Sequence, residues 1–159
     1  MMIMSDKKNE HTELINKLYT SFQNLDGRGM MACYHKDAYF KDEVFELHGR
    51  KEVAGMWMML TQRAKDFHLE YKNVEASEES GSVDWEATYL FSKTGRKVHN
   101  KIHGEFEFKD GLIIKHIDTF DFWKWSRMAL GFPGLLLGWS GFLRRKVQDE
   151  AMSNLKKSL

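Results

Sequence analysis

The sequence predicts an α+β fold in which helices come first and antiparallel strands follow. In the first part of the chain, apolar residues recur every three or four positions, as on one face of a helix. From residue 67 onward they alternate with polar residues, as along a strand. A chain of 159 residues is long enough for one sizeable core, and no linker divides it. We therefore expect a single domain over residues 1–159.

Three helices are predicted before the main sheet. They span residues 10–25, 30–35 and 50–65, and residues 38–44 between the last two are expected to be extended, with Asp42 at the strand edge. Each helix has an apolar side that should cover a sheet. The expected inner residues are Leu14, Ile15, Leu18, Tyr19, Phe22 and Leu25 in the first helix, Met31 and Tyr34 in the second, and Val53, Met56, Trp57, Leu60 and Ala64 in the third.

Four strands are predicted next, at residues 67–71, 83–91, 98–108 and 112–122, and the last two should form a hairpin at Asp110-Gly111. Alternation places every second side chain of this hairpin in the core. A histidine and an aspartate stand in that otherwise apolar set, where burial is costly without partners. The set is Val98, Asn100, Ile102, Gly104, Phe106 and Phe108, with Leu112, Ile114, His116, Asp118, Phe120 and Phe122.

Charge and cysteine content exclude several classes of protein. The formal net charge is +1 and the estimated pI is 7.9, so we expect no nucleic-acid partner. Cys33 is the only cysteine, and residues 1–14 lack the apolar core of a secretory signal, so we expect a cytoplasmic location. His99 and His103 share a strand face but would lie about 13 Å apart. We predict neither a metal nor a cofactor.

Residues 122–159 form a predicted helical extension. Helices are expected at 122–130 and 142–159, and Asp121 should cap the first of them. The apolar run at 128–139 is too short to cross a bilayer. A lid over the domain, a second subunit or a membrane surface could cover its apolar residues; we favour the first two, and membrane contact is not expected. The residues that need cover are Phe122, Trp123, Trp125, Met128, Leu130, Leu135, Leu136, Leu137 and Trp139.

Three motifs add a family resemblance. The motifs are YHKDAYFKD at 34–42, LHG at 47–49 and DGLIIKHIDTFD at 110–121. Together with the order of elements, they resemble the nuclear transport factor 2 superfamily, which includes ketosteroid isomerase, limonene epoxide hydrolase, scytalone dehydratase and SnoaL-like polyketide cyclases. The resemblance implies a strongly curved, cone-shaped (cystatin-like) sheet around the N-terminal helices, an apolar pocket and a homodimer. It places this core at residues 10–121 and implies the fold rather than the reaction.

The resemblance carries over one catalytic position. Asp42 matches the general base of ketosteroid isomerase. The oxyanion-binding tyrosine of that enzyme falls on Leu18, beside Tyr19, and its acid partner falls on or beside residues 103–104, so steroid isomerisation is not predicted. The pocket face of residues 98–108 lacks the arginine between acids that limonene epoxide hydrolase uses, so that reaction is not predicted either.

If the apolar faces converge, four polar side chains meet in one apolar pocket. A desolvated Asp42 or Asp118, with His116 beside it, could act as general base and acid on a small hydrophobic or polycyclic molecule. Alternatively, His116 and Asp118 form a satisfied network with each other or with Asn100, and Asp42 serves only a turn. The expected ligand-binding residues are Tyr34, Trp57, Trp85, Tyr89, Asn100 and Phe106.

Three functions remain open from the sequence. The first is a cofactor-free enzyme of isomerase, cyclase, dehydratase or hydrolase type. The second is a carrier or sensor of a small ligand, and the third is a protein-interaction module. Convergent ionisable groups would favour the first, a sealed or fully satisfied cavity the second, and a collapsed cavity the third.

Overall fold

A computed structural model describes residues 4–159, and side chains from residue 6 onward; residues 1–3 of the predicted domain lie outside the described residues. The elements confirm the predicted order of helices, strands and helical extension. They are α1 (Met4–Gln23), α2 (Gly27–Met31), β1 (Tyr34–Lys41), β2 (Glu46–His48), α3 (Arg50–Arg63), β3 (His68–Ala76), β4 (Ser80–Leu90), β5 (Lys97–Lys109), β6 (Leu112–Thr119), α4 (Phe122–Leu130), α5 (Phe132–Leu137) and α6 (Gly141–Ser158).

The second helix is shifted from its predicted position at residues 30–35. The Asp26 carboxylate accepts the backbone N–H of Gly29 at 3.0 Å, which begins α2 at residue 27. Sheet pairing then starts early, because Tyr34 already aligns with Ile113. Tyr34 therefore belongs to β1 and not to the inner face of a helix. Leu25 is also misplaced by the helical pattern, since it lies beyond α1 with φ of 53° and is exposed.

In residues 4–159, six strands form one curved sheet in the order β2-β1-β6-β5-β4-β3. Neighbouring strands run antiparallel except β1 and β6, which are parallel. The predicted curved antiparallel sheet is confirmed, with this one parallel pair inside it. Between β1 and β6 the chain forms β2, α3 and β3–β5, and a connection of that length can join parallel strands.

The hairpin of β5 and β6 confirms the predicted turn and corrects part of the register. Asp110 and Gly111 both have positive φ, 55° and 73°, as a two-residue hairpin turn requires. Near the turn, Glu107 aligns with Lys115 but Phe108 aligns with Ile113, so Ile114 is an extra residue in a bulge. The bulge reverses the faces, and Ile113 is fully buried where Ile114 was expected. Beyond it the predicted faces hold at His116 and Asp118.

The helices α1 and α3 pack on the concave side of the sheet. Their predicted apolar sides supply much of the core, including Ile15, Leu18 and Tyr19 from α1 and Val53, Met56 and Trp57 from α3. The last helix, α6, joins the same core through Leu155, which is fully buried. A Cβ on Gly55 of α3 would clash with Leu159 and touch Leu155. These two leucine side chains therefore pack directly over this glycine of α3.

The extension packs against the end of the sheet instead of projecting from it. Phe122, Trp125 and Ala129 of α4 form a second buried cluster with Val98 of β5. Asp121 caps α4 as predicted, since its carboxylate accepts the N–H of Lys124 at 3.0 Å. No helix among residues 4–159 is long and apolar enough to cross a membrane.

Candidate functional site

A cavity of about 560 Å³ lies between the concave side of the sheet, α3 and the C-terminal extension. Its walls are mainly aromatic and aliphatic. The extension closes one side, which supports the predicted lid. The contributions of the extension include Trp125, Leu130, Pro133, Leu143, Val147 and Ala151, and those of the sheet include Trp85, Ala87, Tyr89, Asn100, Ile102 and Asp118.

Most of the predicted site residues converge on this cavity, at two different depths. Asp42, Asn100 and Asp118 line it. So do three of the predicted wall residues, Trp57, Trp85 and Tyr89. His116, Tyr34 and Phe106 do not line it; they are packed behind its wall with exposed fractions of 0%, 0% and 2%. Direct ligand contact was expected at these three positions, and their depth in the curved sheet prevents it.

A buried chain of hydrogen bonds runs behind the wall and ends at the cavity. The indole N–H of Trp57 donates to the Tyr34 hydroxyl at 3.0 Å. That hydroxyl lies 2.8 Å from His116 Nδ1, and His116 Nε2 lies 2.8 Å from Asp118 Oδ1. Because an indole can only donate, the hydroxyl is free to donate onward to Nδ1. With Nδ1 as acceptor, the Nε2–H of His116 donates a hydrogen bond to Asp118.

Asp42 lies just after β1, where the chain turns toward β2. Its carboxylate oxygen accepts the backbone N–H groups of Val44 and Phe45 at 2.8 and 2.6 Å, which is the turn role foreseen as an alternative. Burial nevertheless raises the pKa of Asp42 from its usual 3.8 to about 7. The nearby Asp118 charge acts in the same direction, and the two backbone hydrogen bonds act in the opposite one. The Asp42 side chain is half-buried and faces the cavity.

Two polar atoms beside the cavity have no hydrogen-bond partner among the described residues: the Tyr19 hydroxyl and the Trp85 indole nitrogen. The Tyr19 hydroxyl and Asp118 Oδ1 lie 3.3 and 2.9 Å from the point that a Cβ on Gly104 would occupy. Burial and the Asp118 charge raise the pKa of Tyr19 well above its usual value. The sequence predicted only a core role for Tyr19. The signal that could have singled it out is its place beside Leu18, the position on which the oxyanion-binding tyrosine of ketosteroid isomerase falls.

The opposite face of the sheet is charged, and its histidines are engaged with acids. His99 Nε2 lies 2.7 Å from Glu86, and His103 Nδ1 lies 2.7 Å from Asp84. The described residues contain no group of three or more histidine, cysteine or acidic side chains arranged for a metal ion. These two histidines therefore belong to surface pairs and not to the cavity.

The SnoaL-like domain model matches residues 15–116 of the chain. The chain belongs to the SnoaL-like domain family. A search of curated proteins finds no significant match. Among solved structures, an epoxide hydrolase of the limonene epoxide hydrolase-like type from M. tuberculosis shares 19% identity with a TM-score of 0.66, covering 82% of this chain and 97% of its own.

Two further structures show the same fold as this SnoaL-like domain. A Catenulispora acidiphila protein with a ketosteroid isomerase-like fold, in complex with trimethylamine, shares 9% identity and a TM-score of 0.67 over 77% of this chain and 95% of its own. TerC, co-crystallized with polyporic acid, shares 13% identity and a TM-score of 0.65 over 75% and 97%. These likenesses confirm the nuclear transport factor 2-like fold.

Proposed function

We propose that this SnoaL-like protein is a cofactor-free enzyme that performs acid–base chemistry on a small hydrophobic molecule held in the cavity. The reaction is of the isomerase, cyclase, dehydratase or hydrolase type. The observation that carries the proposal is the Asp42 carboxyl, which faces the cavity with a pKa of about 7. A group with that pKa exchanges protons readily at neutral pH, which is what a general base needs.

In this proposal Asp42 is the base. Its anionic form accepts a proton from an acidic carbon of the substrate or from a water molecule. The Val44 and Phe45 N–H groups hold its Oδ1 in place, so the other oxygen, Oδ2, remains for the substrate. The turn role and the catalytic role are then compatible, because they use different oxygens of one carboxylate.

Asp118 is the second catalytic group, and His116 positions it. The Asp118 carboxylate faces the same cavity and orients a substrate hydroxyl or a water molecule by accepting its hydrogen bond. The Nε2–H of His116, 2.8 Å from Asp118 Oδ1, stabilises that carboxylate. His116 has no contact with the cavity, so its part is to orient and stabilise Asp118.

The walls favour a compact apolar substrate with one or two oxygens. A cavity of about 560 Å³ lined by Trp57, Trp85 and Tyr89 fits a molecule of a few fused rings. Asn100 also lines the cavity, so its side-chain amide can bind a substrate oxygen there. Structures with this fold hold trimethylamine and polyporic acid, which supports a small-molecule ligand.

Deuterium exchange into a model ketone tests the proposal without knowledge of the natural substrate. 1-Tetralone is a bicyclic aromatic ketone with exchangeable hydrogens beside its carbonyl, and NMR in D₂O reports their loss. We expect the protein to accelerate the exchange and Asp42→Asn to reduce that acceleration by about a hundredfold or more. Asp84→Asn is the matched control, since this carboxylate lies on the outer sheet face beside His103.

A non-catalytic carrier or sensor is the second candidate, and one observation favours it. Both nitrogens of His116 are already satisfied by Tyr34 and Asp118, as in a structural network. Tryptophan fluorescence would measure tetralone binding in parallel with exchange. Binding without any acceleration of exchange would support the carrier and contradict the enzyme. The interaction-module alternative required a collapsed cavity, and the cavity is open.

We further propose a homodimer and a cytoplasmic location. The family resemblance supports a dimer through the outer face of the sheet, and the single, buried Cys33 thiol suits a reducing compartment. Sedimentation analysis of the full chain tests the dimer directly.

A further inference from the structure

The outer side of the C-terminal extension carries large apolar side chains that the fold leaves in solvent. The exposed fractions of Trp139, Phe132 and Phe142 are 74%, 69% and 65%. Elsewhere in the described chain, the exposed large apolar residues are scattered and none exceeds 48%. We call this surface the tail patch, and it consists of Trp123, Phe132, Leu135, Leu136, Leu137, Trp139 and Phe142.

The tail patch is one surface with a fixed backbone. The Trp123 indole donates to the Leu135 carbonyl at 3.3 Å, which ties α4 to α5. The Trp139 indole donates to the Leu136 carbonyl at 2.7 Å and holds the chain that leads into α6. So many exposed large apolar side chains in one segment are uncommon on a protein that has no partner there.

The segment that carries the tail patch contains charged residues of one sign only, although one of them, Arg144, is paired with Glu43 at 2.6 Å. Residues 122–148 contain Lys124, Arg127, Arg144, Arg145 and Lys146 and no aspartate or glutamate, whereas the whole chain has a net charge of only +1. Two of the cations touch aromatic rings of this segment: the Arg127 guanidinium lies 4.3 Å from the Trp123 ring centroid, and the Arg144 guanidinium lies 4.9 Å from that of Phe122. Positive charge therefore lies directly beside the apolar surface.

We propose that the tail patch binds the surface of an anionic lipid bilayer. Leucine and aromatic side chains can enter the boundary between headgroups and acyl chains, while lysine and arginine contact anionic headgroups. The six-residue helix α5 is suited to lie in that boundary. A second copy of the chain fits less well, because a two-fold contact through this patch would bring Lys124, Arg127, Arg145 and Lys146 of each copy together.

The same segment also forms a wall of the cavity. Leu130, Pro133 and Leu143 line the cavity, while their neighbours Phe132 and Phe142 face outward. Docking on a bilayer would therefore bring the cavity wall to the place where apolar molecules dissolve. The docking itself does not depend on the catalytic roles of Asp42 and Asp118.

Vesicle flotation of the full chain tests the apolar part of the proposal. We expect the protein to float with vesicles of phosphatidylcholine and phosphatidylserine and to float much less with phosphatidylcholine alone. The double variant Phe132→Ser/Leu136→Ser should bind at least about tenfold more weakly, because two apolar side chains no longer leave water. Met31→Ser, at an exposed apolar residue on α2, is the control and should bind like the wild type.

The charged part has its own variant. Arg145→Ala should weaken binding to the anionic vesicles about fivefold and reduce its salt dependence. Lys8→Ala, at an exposed cation on α1, is matched in charge and should have no effect. Circular dichroism would establish that each variant is folded.

Two outcomes would overturn the proposal. One is flotation that is the same for the wild type and the Phe132→Ser/Leu136→Ser variant. The other is a wild-type dimer that this variant dissociates in sedimentation, with no binding of the wild type to anionic vesicles, because a second copy would then cover the tail patch.

Discussion

His116 Nε2 lies 2.8 Å from Asp118 Oδ1, and the two residues stand on the same face of β6 at different distances from the cavity. Asp118 lines the cavity, whereas His116 is fully enclosed behind it. A ligand can therefore touch the carboxylate but not the imidazole. Any effect of His116 on chemistry has to pass through the position and charge of Asp118.

The Tyr34 hydroxyl should contribute measurably to stability. Tyr34→Phe would leave the Trp57 indole N–H and His116 Nδ1 without a partner in a fully buried place. We expect a loss of about 1–3 kcal/mol in the free energy of unfolding, measured in urea. Tyr39→Phe is the matched control: its hydroxyl donates to Glu46 at the surface, and its loss should change stability little. Equal effects of the two variants would contradict this account of the buried chain.

The raised pKa of Asp42 should make stability depend on pH. Between its ordinary value of 3.8 and about 7, the folded protein keeps a proton that the unfolded chain releases. The contribution of Asp42 therefore lowers stability as pH rises through this window, by at most about 1.4 kcal/mol per pH unit, and is constant above it. Asp42→Asn keeps an oxygen for the Val44 and Phe45 N–H groups but cannot ionise. The variant should therefore become more stable relative to the wild type as pH rises from about 4 to about 7, and the difference should stay constant above that.

The same ionisation should control the proposed chemistry. Asp42 acts as a base only when it is ionised, so tetralone exchange should rise as pH increases and level off above a midpoint near 7. Asp118→Asn retains Asp42 but removes a charge that helps raise its pKa, so it should slow the exchange and move that midpoint to lower pH. A rate that is flat from about pH 5 to about pH 8 would contradict the assignment of Asp42 as the base.

The end of the extension should behave as part of the core. Leu155 is fully buried in the core cluster with α3, so Leu155→Ala should cost about 2–5 kcal/mol in the free energy of unfolding. Leu136→Ala removes the same atoms from a side chain that is 52% exposed and should have a much smaller effect. Urea unfolding of both variants measures the difference. A small effect at Leu155 would mean that α6 is only loosely attached.

The sequence by itself determined much of the fold because its signals are local. A two-residue period places Asn100 and Phe106 on one side of β5, and His116 and Asp118 on one side of β6, whatever these strands pack against. Asp110-Gly111 accommodates the positive φ angles of a tight turn without help from the rest of the chain. The helical stripes of α1 and α3 likewise named most of their core residues. These features, and the motifs in residues 34–49 and 110–121, were sufficient for the family.

The tertiary structure decided how deeply each side chain lies, which groups surround it and which apolar residues of the extension are covered. These properties depend on residues far apart in the sequence. The alternation of apolar and polar residues could not show the bulge at Ile114, because a residue is extra only in relation to the residues that pair with it on the partner strand. It could not separate Asp118 on the cavity wall from His116 behind it, since curvature sets that difference. The Asp42 pKa depends on the desolvation that surrounding groups impose, not on its neighbours in the chain. The extension contains both the cavity lid and the exposed tail patch, and only packing determines which of its apolar side chains are buried.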